Sequence, residues 1–218
     1  MEDVRKGKGL KEEYVKKLVD NNIPNWYIES CQKIKYLFPK AHAAAYVVMA
    51  WKIAWFKIYY PLHFYSSFFS IRSEVFDIET IVEGKSAIMI KLNDIKKRMS
   101  DAKTKAIVKQ KEIDLIQIYE MALEMTSRGF SIKNIDLNKS QINEFIIEEN
   151  SLIPPFSTID GLGDAVATSI VQARNERPFV SKEDILKRTK ITKTHFNILQ
   201  KLGIISHLDD DDQLSLFD

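Results

Sequence analysis

The sequence holds one cysteine, Cys31, in 218 residues, so an internal disulfide is excluded. Its neighbours Ile28, Ile34 and Leu37 stand at helical spacing, which predicts a buried apolar filler in a reducing compartment. An excess of charge is also missing: 32 Lys and Arg against 30 Asp and Glu leave +2. Nothing global therefore demands nucleic acid, and any such binding must come from local patches. The start, MEDVRKGKGL, is too charged for a secretory signal. An uncharged run of the roughly 20 residues needed for a membrane helix is absent as well. The nearest, Ala41 to Tyr60, carries His42, Lys52 and Lys57, with the lysines broadly on one side. That stretch predicts a central buried helix whose Val48, Trp51, Trp55 and Ile58 face protein. These absences together predict no membrane and a cytoplasmic protein.

What the chain does have is an apolar content of 45%, enough for one large or two small domains with real cores and too much for disorder as the main state. The patterning is mainly α. A basic turn, Arg5 to Gly9, precedes a helix from about Leu10 to Asn21 with Leu10, Tyr14 and Leu18 in one stripe. A second helix starts at Asn25, as cap after Pro24, and stops near Phe38 because Pro39 disfavours a helical predecessor. Pro61 breaks the long apolar run, and the next helix is expected to bury Phe64, Phe68 and Ile71. Two short helices follow between Asp77 and Met99, parted at Glu83-Gly84, then a long one from about Thr104 to Arg128, ended by Gly129. Phe145 to Ile147 and Ser151 to Ile153 read as two short strands around a polar turn, closed by Pro154-Pro155. A boundary near Asn138 to Gln141 opens a new small module.

The most specific local signal is IDGLGDAVATSIVQAR, Ile159 to Arg174. Gly161 and Gly163 bracket Leu162, and glycine enters positive-φ turns freely while letting another backbone come close. Asp164 is the expected cap of the helix that follows, whose Val166, Ala167, Ile170 and Val171 form one buried face. The free N–H groups of a glycine turn and a helix start suit a phosphate. This is helix-hairpin-helix spacing, and the bland alternative is a plain helix-turn-helix corner. Ser181 with Asp184, then Thr192 as cap and Gly203 as terminator, predict a degenerate companion unit that adds Lys190 and Lys193 to the basic surface. The four aspartates before the last residues read as a solvated linker rather than a metal site.

The succession VRKGKGL, WYIESCQKIKYLFPKAHAAAY, FIIEENSLIPPF, the GLG hairpin and the final QLSLF resembles, in order and spacing, the C-terminal portion of the Gram-positive replicative DNA polymerase III alpha subunit, PolC type. The resemblance runs the whole length. It implies that residues 1–139 are the C-terminal part of the polymerase fingers, 140–208 a duplex-DNA-binding helix-hairpin-helix domain, and 209–218 a flexible clamp-binding tail. The expected architecture is thus a helical fingers region, a small β-hairpin plus tandem helix-hairpin-helix module, and a tail. It further implies that the palm and its metal-binding aspartates lie elsewhere, so that no catalytic residue and no cofactor belong to this chain, while Mg2+ serves the parent enzyme. Arg5, Lys6, Lys8, Lys40 and His42 match segments that face the incoming deoxynucleoside triphosphate, with Tyr46 one turn beyond. Gly161, Leu162, Gly163, Lys190 and Lys193 are the expected contacts to the backbone of primer-template duplex DNA. Gln213, Leu214, Ser215, Leu216 and Phe217 resemble the pentapeptide that binds the sliding clamp, and other replisome subunits are implied as partners. Two rival readings are a stand-alone adaptor that holds DNA and recruits the clamp without catalysis, and a purely structural helical scaffold.

Overall fold

A computed structural model describes residues 2–34, 40–72 and 75–211, with the backbone alone at residue 40. The chain divides into two compact units, Met1–Trp55 and Phe56–Asp218. The first holds α1 (Glu2–Arg5), α2 (Glu12–Asp20), α3 (Asn25–Lys33) and most of α4 (Lys40–Tyr59). Among its described residues the buried apolar ones are Val4, Ile28 and Cys31, so the lone cysteine is the core filler its spacing predicts. No residue of α2 is buried, and Tyr14 of its expected stripe is exposed. Asn25 is the first helical residue and Pro24 the cap position.

The expectation of a buried α4 does not hold. Its apolar side chains from Tyr46 to Ile58 lie open, Trp51 at 79% exposure. Its apolar residues lie on every side rather than in the one protein-facing stripe expected. Among the described residues no helix is long and apolar enough to cross a membrane.

The second unit is built on α5 (Pro61–Ser70), α6 (Ile78–Glu83), α7 (Lys85–Ser100) and α8 (Gln110–Ser127). Proline at its first position starts α5, where the missing N–H costs nothing. The face that α5 buries is one residue from the expected one: Tyr65 and Phe69 are fully enclosed, Phe64 and Phe68 half-buried, and Ile71 exposed at 77%. The rings choose this face. Phe69 meets Phe76 and Phe145 at 5.6 Å each, and Phe76 meets Phe145 at 5.1 Å, so three chain segments interlock through aromatic edges. Asp77 caps α6, accepting from the Thr80 amide at 3.3 Å and hydroxyl at 2.6 Å, and Tyr119 of α8 donates to the same carboxylate at 2.5 Å.

Three strands follow: β1 (Ser131–Ile132), β2 (Ile146–Glu148) and β3 (Ser151–Ile153), in the order β1-β3-β2. The β2–β3 hairpin is the expected one, paired Ile147 to Leu152, with Glu149 of its turn at φ +53°. The strand β1, parallel to β3, is too short to carry an alternating pattern and was not anticipated. Residues 138–141 lie inside this second unit, where the Arg174 guanidinium donates to the Leu137 and Ser140 carbonyls at 3.1 and 2.6 Å. Then come α9 (Asp164–Glu176), α10 (Lys182–Arg188) and α11 (Lys193–Lys201). One hydrophobic cluster runs from Tyr65 to Ile205, so α5 to α8, the sheet and these last helices share a core.

The aspartate run is not wholly a solvated linker. The Asp209 and Asp210 carbonyls accept from the Lys182 and Glu183 amides at 2.8 and 3.2 Å, and Lys182 Nζ pairs with the Asp210 carboxylate at 2.6 Å. Two amides left over at the start of α10 find acceptors there.

Candidate nucleic-acid interface

The hairpin before α9 is a tight turn on a buried peg. Leu162 is 4% exposed and anchors the loop in the core, while its amide donates to the Ile159 carbonyl at 3.1 Å. Gly161 stands at φ +83°, a conformation only glycine adopts without strain. Gly163 does not, at φ −72°; it is the N-cap of α9, its carbonyl accepting from Val166 and Ala167 at 2.9 and 3.1 Å. Asp164 is therefore the first helical residue, not the cap, and its exposed carboxylate favours the positive end of the helix. No side chain caps α9. A methyl group built on either glycine would meet nothing within 4 Å, so both present open backbone to the outside.

The companion hairpin joins α10 to α11 through Thr189 to Thr192, and Thr192 caps α11 by accepting from the His195 amide at 3.4 Å. The two hairpins are stitched at their tips. The Lys190 amide donates to Ser169 Oγ of α9 at 2.9 Å. His195 Nε2 lies 3.2 Å from the Gly161 carbonyl, and its Nδ1 lies 3.3 Å from the Thr192 amide. One neutral tautomer satisfies both bonds, with Nε2–H donating and Nδ1 accepting. Lys190 and Lys193, on and beside that second hairpin, are exposed. Asp160, beside that turn, is offset by Lys111 of α8 at 2.8 Å. His195 escaped the sequence reading; its only signal is its place at the third helical position after a capping threonine.

Beneath the hairpins a buried carboxylate locks α9 to α10. Asp184, 2% exposed, receives two bonds from Arg177 at 3.0 and 2.7 Å, one from Arg188 at 3.0 Å and one from the Val180 amide at 3.3 Å. Arg188 also donates to the Ala173 and Arg177 carbonyls, so its guanidinium spans the end of α9. Burial alone would raise the Asp184 carboxyl, but the bonds from Arg188, Arg177 and Val180 outweigh it and hold it below the usual range. Ser181 is the expected cap of α10. Ser181 Oγ accepts from the Asp184 amide at 3.0 Å, while the Asp184 carboxylate serves the arginines.

The residues expected to face a nucleotide fall in the first unit. Arg5 donates twice to Glu2, at 2.9 and 2.8 Å, and Lys6 lies 3.2 Å from the same carboxylate. Those hydrogen bonds, Arg5 before Lys6, lower the Glu2 carboxyl to about 2. Lys8 is exposed. His42 and Tyr46, one turn apart on exposed α4, stack edge to face at 4.5 Å. The Lys40 side chain and residues 213–217 lie outside the described residues. Among the described residues no three His, Cys, Asp or Glu side chains are grouped to hold a metal.

Comparison with known proteins bears directly on this surface. Residues 129–214 match the helix-hairpin-helix motif family. Over its full length the chain is 49% identical to the PolC-type DNA polymerase III of Bacillus subtilis and 48% identical to those of Ureaplasma parvum and Halalkalibacterium halodurans. The chain belongs to the PolC-type DNA polymerase III family. It spans 15% of the length of each of these relatives. The PolC-type segment thus carries the motif on α9 to α11, together with the sheet beside it.

Proposed function

We propose that the chain is the C-terminal part of a replicative DNA-directed DNA polymerase and that its second unit grips the primer-template duplex. The observation that carries this reading is Gly163. Its backbone angles need no glycine and no described residue crowds it, so its lack of a side chain serves something outside the fold. A phosphate is that thing: neutral amides at a helix start and the nearby Lys190 and Lys193 offer donors and charge to it. Such contacts read no bases. Replacing both glycines with bulkier residues weakens binding to all duplex sequences alike at matched salt; unchanged affinity would refute the reading.

The chemistry of nucleotidyl transfer belongs, in this proposal, to a palm outside the chain, so the purified chain does not polymerise. Arg5, Lys6, Lys8, Lys40, His42 and Tyr46 face the incoming nucleotide in the intact enzyme. Alanine at Lys8 or His42 raises the nucleotide KM or lowers kcat and leaves primer-template affinity nearly unchanged. The open apolar surface of α4 fits the same reading, since a helix apolar on every side is built to be enclosed and the remaining length of a polymerase supplies the cover. The residues Gln213-Leu214-Ser215-Leu216-Phe217 bind the sliding clamp, with Leu216 and Phe217 as the apolar anchors and Gln213 as the amide that fixes register. A peptide of residues 209–218 binds clamp at roughly micromolar concentration and loses binding when Leu216 and Phe217 become alanine. Equal binding by both peptides removes that site. The stand-alone adaptor has no observation in its favour.

A further inference from the structure

We infer that His195 is a positioning residue for the duplex grip, holding the glycine hairpin in its binding shape by clamping the Gly161 carbonyl to the second hairpin. The inference rests on the reading of the hairpin as a phosphate site. Its own observation is the imidazole, placed 3.2 Å from the Gly161 carbonyl through Nε2 and 3.3 Å from the Thr192 amide through Nδ1.

The turn needs such a clamp. Gly161 has the widest backbone freedom of any residue type, sits exposed at φ +83°, and has no side chain to pack. Leu162 fixes the far side of the turn by its burial and its bond to Ile159. That bond holds the N–H of the Gly161–Leu162 peptide, and His195 holds its C=O. A carbonyl free to swing toward an approaching phosphate would repel it, whereas one already engaged by an N–H leaves the amides as the groups presented. The same ring takes up the Thr192 amide, and the Lys190 amide is held on Ser169, so the tips carrying Lys190 and Lys193 keep a fixed distance from the turn. Pre-ordering of this kind raises affinity by removing an ordering cost, not by adding a contact to DNA.

The test measures duplex affinity of the full chain as a function of salt for the unsubstituted protein, His195→Ala and His195→Gln, using a short duplex of arbitrary sequence. His195→Ala is expected to weaken binding roughly tenfold while leaving the slope of log affinity against log salt unchanged, because the groups it frees are neutral. His195→Gln recovers most of that loss, since its amide offers both a donor for the Gly161 carbonyl and an acceptor for the Thr192 amide. Nitrogen NMR of the imidazole shows Nε2 carrying the proton. Affinity unchanged in His195→Ala overturns the inference. So does a slope smaller by about 0.9, which marks His195 as a cation resting on a phosphate itself. A glutamine variant as weak as alanine and also melting well below the unsubstituted chain overturns it in favour of a merely structural role. If the unsubstituted chain fails to bind duplex at all, the phosphate reading of the hairpin falls, and this inference with it.

Discussion

At Gly161 the backbone stands at φ +83° and at Gly163 at φ −72°, so the two glycines are held by different demands. Gly161→Ala forces a side chain into the left-handed region and costs about 1 kcal/mol of stability, measured by urea melts. Gly163→Ser does the opposite. Serine is a better N-cap than glycine and adds a few tenths of a kcal/mol, yet it stands where the phosphate would approach and weakens duplex binding. A serine variant that loses stability, or binds duplex as well as before, contradicts this separation. Asp184 makes a third residue-level case. Asp184→Ala leaves Arg188, 15% exposed, without its buried partner and costs about 3 to 5 kcal/mol. The sign with pH follows from its lowered carboxyl. Stability from this group is present above the ordinary aspartate range and is lost as the pH falls through the lower folded-state value. Asp184→Asn flattens that acid limb in thermal melts taken from neutral pH downward, and a limb of unaltered steepness would place the acid sensitivity elsewhere.

Among the elements, α5 shows how packing selects a face. Phe69 is fully enclosed among Phe76 and Phe145, whereas Ile71 is exposed. Phe69→Ala therefore costs roughly 3 to 5 kcal/mol, while Ile71→Ala stays within about 0.5 kcal/mol. Equal melting of the two variants would undo the assignment of the buried face. The tie between α9, α10 and α11 is of another kind, made of polar bonds from Asp184, Ser169 and His195. Those bonds act beside the apolar packing of Ile170, Ile185 and Leu199 in the shared core.

For the whole molecule, a net charge of +2 means that the proposed duplex binding would have to rest on local charge such as Lys190 and Lys193. Removing Lys190 or Lys193 is expected to lower the salt slope of duplex affinity by about 0.9 each, the change for one phosphate contact. This separates them from His195, whose removal leaves the slope alone. A slope that does not move in either lysine variant takes these residues off the duplex surface.

The sequence by itself determined the helical class, the β2–β3 hairpin, the glycine turn and the helix ends at Pro61, Gly129 and Gly203, because capping, proline geometry and apolar spacing act over a few residues. Only the tertiary structure decided which face of α5 is buried, that β1 joins the sheet in parallel, and that α4 stands open, since each depends on segments distant in the chain. The same holds for the site. Gly161, Gly163, Lys190 and Lys193 were legible as a hairpin and its basic company. That His195 joins the two hairpins, and that Asp184 holds both Arg177 and Arg188, are contacts that the capping signal at Ser181 does not encode.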